Sequence, residues 1–544
     1  MTNHRAVLVY PQSEMNLHAG WLPWCFEKGI GKDLNRLEPD LIIDWIEFGQ
    51  VSAERDENLS SYFFENGVLE AVVQNRFRFL VLGRKGAGKT AVFQHLDENT
   101  TKYLQPADFS ENLSLQNYSW DTHKLLATQG KASSLAYIQS WKYIIYLLAV
   151  KVLIRDGVSN KKLASAGKLI GRLYKTPSPS LSEILGQKLL SLSKLKLPTA
   201  DASLQLVGET NLSVEAGEVS FDELKSNSEL KASLNNSIER LTDIFEEALL
   251  ESLGDERRFF VAFDRIDEAW DAASFESSQR IIAGLLGASE FINQKFRGSL
   301  RPVIFLREDI FETIDINDRN KLRSDCGELL AWTKDGLARM ILERVNFFAR
   351  EAGQSEFSKI EDLFDREQMR QRRAPFDHIM LRTMLRPRDF IKFFQLIKSD
   401  MRDRARNPFE VEEVCSNALE CQSIYNAEAA YSEWLVDELK DEWRVQFPMI
   451  GKLFAALQHN NRTNFTKEEF AASLRHVGED AASLDIGRYL RFLFDNSIIG
   501  FRVGRSNQWR YKCFFPSQGY ADADTFKIHD GLHRGLNLTE SRAG

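Results

Sequence analysis

Eight consecutive residues carry the strongest chemical signal in this chain. Gly83-Arg84-Lys85-Gly86-Ala87-Gly88-Lys89-Thr90 fits G-x-x-x-x-G-K-[ST], the pattern of a phosphate-binding loop (P-loop). Its glycines let backbone N–H groups wrap a phosphate without Cβ clashes. Lys89 is then suited to the β- and γ-phosphates of ATP, and the Thr90 hydroxyl to Mg2+. A helix starting there points its positive dipole end at the same anion, and Ala91-Val92-Phe93-Gln94-His95-Leu96 reads as that helix. A glycine-rich turn with a stray lysine would not need the apolar run at 77–82, which leads into the loop as a buried strand.

A magnesium-bound triphosphate needs an acid beside the loop. Phe259-Phe260-Val261-Ala262-Phe263 reads as a second buried strand and ends at Asp264, which can hold the metal's hydration shell. Asp267 or Glu268, about a turn later, is the candidate to orient or deprotonate the attacking water, with Glu268 preferred. Alone, this cluster reads equally well as a solvated acidic turn; the upstream loop decides between the two. A third strand, 303–306 after Pro302, ends at Arg307, a candidate to face the γ-phosphate and sense its loss. Leu385-Arg386-Pro387-Arg388-Asp389 opens a helix whose proline suits a first turn. From there Arg386 or Arg388 could reach the phosphates, or simply balance Asp389 at the surface. Arg319 and Arg323 are candidates to serve a neighbouring subunit as arginine fingers.

Positioning these groups requires buried strands that alternate with helices. Helical patterns at 234–253 and 275–296 separate the strands, and apolar spacing predicts a further amphipathic helix over 59–73. The expected class is therefore α/β, a P-loop NTPase parallel sheet with helices on both faces and helical insertions. Residues 1–45 form an N-terminal segment of unknown role, and 46–335 form the ATPase domain with a basic helical insert at about 100–230. Residues 336–445 read as a helical lid and linker helices. In 446–544, helices near 450–457, 467–474 and 484–494 precede a hairpin at 498–503 and 509–514, the order of a winged helix. Within the insert, residues 151–196 hold ten Lys and Arg against Asp156 and Glu183. Residues 204–221 alternate apolar and polar positions like a small strand pair.

A length of 544 residues exceeds what one hydrophobic core organises. The hydrophobic share of 43% and charged share of 27% are those of an ordinary globular protein. A net charge of -8 excludes a surface that coats nucleic acid throughout, but allows a local basic patch. Cys25, Cys326, Cys415, Cys421 and Cys513 show no CxxC spacing and read as reduced thiols. His529 and His533, four apart beside Asp530 and Gly531, read as ordinary structural histidines. The most apolar stretch, 143–150, lies between Lys142 and Lys151 and is far shorter than the roughly 20 residues of a bilayer span. No secretory signal is visible. A cytoplasmic protein that does not enter the membrane is expected.

GRKGAGKT, FFVAFDRIDEAWD, PVIFLREDIF and LRPRDFIKFF, in this order, resemble a prokaryotic group of P-loop ATPases related to STAND and AAA+ proteins. Phe48-Gly49-Gln50-Val51-Ser52-Ala53-Glu54-Arg55-Asp56, Tyr137 with Trp141, and Lys527-Ile528-His529-Asp530-Gly531-Leu532-His533 are also similar to that group, so the likeness covers about residues 45–540. Arg265 departs from the related NACHT pattern, which has a small residue there. The resemblance implies a slow, switch-type ATPase using ATP and Mg2+ in a bacterial defence or mobile-element locus. It would gate its own homo-oligomerisation or a partner effector encoded nearby. The other reading is a nucleic-acid-directed ATPase that contacts DNA or RNA through 151–196 and 502–512, where Arg502, Arg505, Arg510 and Lys512 flank Trp509 and Tyr511.

Overall fold

Strand residues in this chain alternate between two apolar cores, and that alternation builds the central sheet. Its strands are β1 (Leu80–Gly83), β2 (Phe109–Ser114), β3 (Phe259–Asp264), β4 (Leu300–Arg307) and β5 (Gly327–Leu329). Leu80, Leu82, Phe259, Val261, Phe263, Leu300, Ile304 and Leu306 enter one core. Val81, Phe260, Ala262, Val303 and Phe305 enter the other. A sheet covered on both faces needs such near-continuous apolar strands. The computed structural model describes residues 41–116, 118, 120, 123, 132–194, 221–254, 257–269, 275–406, 417–478, 485–504 and 508–539. The expected strand pair at 204–221 lies outside them except for its last residue, as do Arg505, Cys25 and Cys415.

All five strands run parallel in the order β2-β3-β4-β1-β5. On one face lie α1 (Val68–Gln74) and α2 (Lys89–Glu98), through Val68, Leu69, Val72, Val92, Phe93 and Leu96. On the other lie α3 (Ala132–Arg155), α4 (Lys161–Tyr174), α5 (Ser228–Leu253) and α6 (Phe275–Lys295). The buried Trp141 indole of α3 donates to the Ile281 carbonyl of α6 at 3.0 Å. By length and composition, Leu135–Arg155 is long and apolar enough to cross a membrane. It extends well past the stretch predicted at 143–150, and 78% of its most apolar window is buried inside the protein.

Several elements differ from the sequence expectation. The helix predicted over 59–73 is helical only at Val68–Gln74, because Gly67 adopts φ 86° and separates it from the 3-10 turn Leu59–Ser61. Strands β2 and β5 were not foreseen: Phe-Ser-Glu-Asn-Leu-Ser is a half-exposed edge strand, and β5 has three residues. The third strand begins before Pro302 and includes it. The Ile304 N–H donates to the Phe79 carbonyl, so Pro302, two residues earlier, lies level with chain that precedes β1 and forfeits no ladder bond.

After β4 come α7 (Glu308–Thr313) and α8 (Arg319–Cys326), then α9 (Lys334–Glu351), α10 (Pro387–Arg406) and α11 (Cys421–Trp443). The last three share a third core with α12 (Ile450–Asn460), α13 (Lys467–His476) and α14 (Ile486–Asp495). The same core holds an antiparallel sheet of β6 (Asn464–Thr466), β7 (Ile499–Arg502), β8 (Trp509–Arg510) and β9 (Thr525–Ile528), ordered β6-β9-β7-β8. The hairpin expected to run to 514 stops at Arg510. Tyr511 turns inward and is 6% exposed, with its hydroxyl on the Ile528 carbonyl.

Candidate functional site

The predicted loop connects β1 to α2 at the carboxyl edge of the sheet, where open α/β sheets bind ligands. Gly88 caps α2 at φ 98°, a left-handed conformation that costs a side chain strain even though a Cβ there would meet nothing. Gly86, at φ 79°, has both constraints: a Cβ would come 3.1 Å from that of Arg388. Lys89 donates to the Gly83 and Arg84 carbonyls at 3.0 and 3.2 Å. Burial pulls its pKa below the ordinary lysine range, opposed chiefly by Asp267 and Asp264. The Trp332 indole donates to the Ala87 carbonyl at 2.8 Å, fixing the loop from the β5 side.

Asp264 ends β3 and is 3% exposed. Burial pushes its carboxyl up to about 6, although the Thr90 hydroxyl and the Arg265 backbone N–H donate to it. Its Oδ2 is buried with no hydrogen-bond partner. An anionic oxygen in that position, with the Thr90 hydroxyl alongside, suits a divalent cation. Arg265 takes φ 62°, and this turns its side chain outward to ion-pair with Glu54 and, at 3.1 Å, with Glu268. Glu268 is accordingly exposed and held by Arg265. Asp267, in contrast, lies within electrostatic reach of Lys89, Asp264 and Arg307. Asp267 thus bears electrostatically on Lys89, while Glu268, the acid preferred from sequence, is exposed and paired with Arg265.

Strand β4 lies between β1 and β3, and its last residue, Arg307, pairs in register with Gly83. Arg307 is 9% exposed and donates to Asp309 at 2.7 and 3.1 Å. Burial opposes its charge, but Asp309, Glu442 and Asp267 hold it firmly protonated. Arg386 and Arg388 also reach the loop. Arg386 donates toward the Lys85 carbonyl at 3.4 Å, and the Arg388 backbone N–H toward that of Gly86 at 3.4 Å. Arg319 and Arg323 are tied to Glu312 and Glu308 of their own chain, so neither is presented as a free finger.

Other contacts had no sequence signal. Arg84 donates to the Ser497 Oγ and the Asp495 carbonyl, each at 3.1 Å. Lys85 pairs with Glu438 at 3.2 Å, and Glu442 accepts from Arg386 at 3.2 Å. Arg265, Leu385 and Ser497 all have positive φ without being glycine, and each adjoins a residue of this site or contacts one. The i, i+4 spacing of Glu438 and Glu442 marks a shared helix face, but not what that face meets.

Of the expected basic surfaces, part is neutralised internally. Lys162 pairs with Glu247 and Glu251, and Lys151 with Glu111, whereas Lys161, Lys168 and Lys175 are exposed. At the end of the hairpin Arg510, and just past it Lys512, donate to Gln518, and buried Tyr511 cannot stack on a base. The exposed Arg502 guanidinium lies 4.4 Å over the Trp509 ring. Burial pushes His529 down to about 3, and its Nδ1 accepts from the Gly531 N–H, as befits a neutral core histidine. Cys326, Cys421 and Cys513 are free thiols.

Residues 335–440 match the family described as the FunZ-associated C-terminal helical domain. The chain is 23% identical over 517 residues to the Putative transposon gamma-delta 80.3 kDa protein of Escherichia coli (strain K12), spanning 91% of this chain and 67% of that protein. Among solved structures it is similar to Cdc6p from Pyrobaculum aerophilum, with a TM-score of 0.31, 12% identity, and coverage of 88% and 97% of the two chains. A superposition that loose does not bear on the site. What these likenesses establish is a domain match across α9–α11 and a relative named for a transposon.

Proposed function

We propose that the chain binds Mg·ATP in the loop 83–90 and hydrolyses it slowly, as a nucleotide-gated switch. The observation that carries this reading is the buried Asp264 carboxylate, with one oxygen unpartnered, joined to Thr90 at the end of a P-loop. Thr90 and Asp264 would hold Mg2+, which when bound would neutralise charge on the β- and γ-phosphate oxygens. Lys89 would bind those same oxygens, Asp267 would orient the attacking water, and Arg307 would face the γ-phosphate. Residues 46–335 act as the ATPase domain, 336–445 as a lid whose Arg386 and Arg388 meet the loop, and 446–544 as a winged-helix-like module. The order α12, β6, α13, α14, β7, β8, β9 supports that last assignment. The name of the Escherichia coli relative supports a mobile-element setting. Phosphate release from Mg·ATP by wild type and by Lys89→Ala tests the activity: the variant should lose it, and equal rates would overturn the proposal.

The second reading, a nucleic-acid-directed ATPase, draws support from the exposed Arg502 over the half-buried Trp509 on the β7–β8 hairpin. Such a pair offers both a phosphate contact and a stacking face.

A further inference from the structure

Four cations of the candidate site share two carboxylates, and both carboxylates lie on α11. Glu438 accepts from Arg388 at 2.5 Å and pairs with Lys85 at 3.2 Å. Glu442, one turn on, pairs with Arg386 at 3.2 Å and Arg307 at 3.8 Å. These cations come from three separate places: the loop, the tip of β4 and the start of α10. What unites them is that all four belong to or border loop 83–90.

We infer that α11 is the phosphate-sensing element, with Glu442 occupying Arg307 and Arg386 until a γ-phosphate takes them. The inference rests on the nucleotide reading above and adds the residue that sets the response to ATP over ADP. A triphosphate terminus carries more charge than one carboxylate and accepts through more oxygens, so it competes for both guanidiniums. ADP, lacking that terminus, leaves Glu442 in place.

The release has a defined route onward. Past Glu442, α11 ends at Trp443, whose ring meets Phe492 of α14 at 5.1 Å between centroids. Phe447 stacks on the same Phe492 at 3.9 Å and 8°. Helix α14 ends at Asp495, and Arg84 of the loop holds the Asp495 carbonyl and, two residues on, the Ser497 Oγ. Loss of the Glu442 pairs therefore loosens the seat of the C-terminal sheet module at one end, while nucleotide at the loop bears on Arg84 at the other.

Glu442→Gln is a mild probe because Arg307 keeps Asp309 and Arg386 keeps Asp389, so neither guanidinium is stranded in the protein. The full chain, wild type and variant, is titrated with Mg·ATPγS and with Mg·ADP. With the competitor removed, ATPγS affinity should rise about tenfold and ADP affinity by less than about twofold. In wild type, hydrogen exchange of peptides covering 436–447 and 486–502 should quicken with ATPγS and not with ADP. Equal changes for the two nucleotides, no gain for ATPγS, or identical exchange with both would overturn the inference while leaving nucleotide binding intact. Failure of wild type to bind either nucleotide is a separate result, and it removes the nucleotide reading together with the inference.

Discussion

Arg265 donates to Glu268 at 3.1 Å, an ion pair that holds the Glu268 carboxylate in the turn after β3. Arg265 has a positive φ, Glu268 is exposed, and Asp267 lies within electrostatic reach of Lys89 and Arg307. Asp267→Asn should therefore retain ATP but slow turnover by about 10²–10⁴-fold, the usual worth of a positioned base. Glu268→Gln should cost less than about tenfold. Single-turnover phosphate release distinguishes the two, and a larger loss in Glu268→Gln would reverse the assignment.

Asp264 gives the site a pH dependence with a definite sign. Its folded value of about 6 lies above the ordinary 3.8, so the folded chain holds that proton more tightly than the unfolded one. The resulting stability is present in full below the ordinary value and is lost as pH rises through about 6. The groups bearing on it are Thr90, the Arg265 N–H, Asp267 and Lys89. Mg2+ needs the ionised carboxylate, so the Mg2+-dependent part of ATP stabilisation should grow from pH 5 to pH 7.5. Thermal melts with ATP, with and without Mg2+, measure it. Asp264→Asn should flatten the profile, and a profile unchanged in that variant would assign the effect elsewhere.

Ser497 Oγ serves two masters, accepting from Arg84 of the loop at 3.1 Å and from the Cys513 backbone N–H at 2.8 Å. Arg84→Ala and Ser497→Ala should each destabilise the C-terminal module by about 1 kcal/mol, a typical net hydrogen bond. Because they remove one shared contact, the double variant should cost less than the sum of the two. A double-mutant cycle in urea reads the coupling. Strict additivity would mean that the loop and the module are energetically independent.

If the hairpin contacts nucleic acid, Arg502→Ala with Trp509→Ala should weaken duplex or single-strand binding by about tenfold or more, since one stacked base is worth on the order of 1–3 kcal/mol. Fluorescence anisotropy at two salt concentrations checks this. Binding carried instead by α4 would survive the double variant and fall on reversing exposed Lys161 and Lys168.

The β1 loop, the strand-tip positions of Asp264 and Arg307, and the long helices were readable because each is a local matter of apolar periodicity and glycine spacing. Strand β2 was not, because Phe-Ser-Glu-Asn-Leu-Ser lies at a half-exposed edge and carries no strong alternation. The turn that carries Asp267 and Glu268 begins at Arg265, a left-handed residue that nothing in its side chain announces. The contacts of Glu438, Glu442 and Ser497 with Arg388, Arg386 and Arg84 span 50 to 413 residues of chain, and separations like these leave no periodic trace. The arginines at 319 and 323 read as available because their partners, Glu308 and Glu312, meet them only once α7 folds back on α8.

In the proposed function, loop 83–90 holds the phosphates of ATP through Lys89. Equilibrium titration calorimetry of the full chain with Mg·ATP tests it most directly, with Lys89→Ala measured alongside. Wild type should bind saturably one to one, and the variant should lose at least about a hundredfold in affinity, the scale of a removed charge-assisted phosphate contact. Affinity unchanged by Lys89→Ala would contradict it.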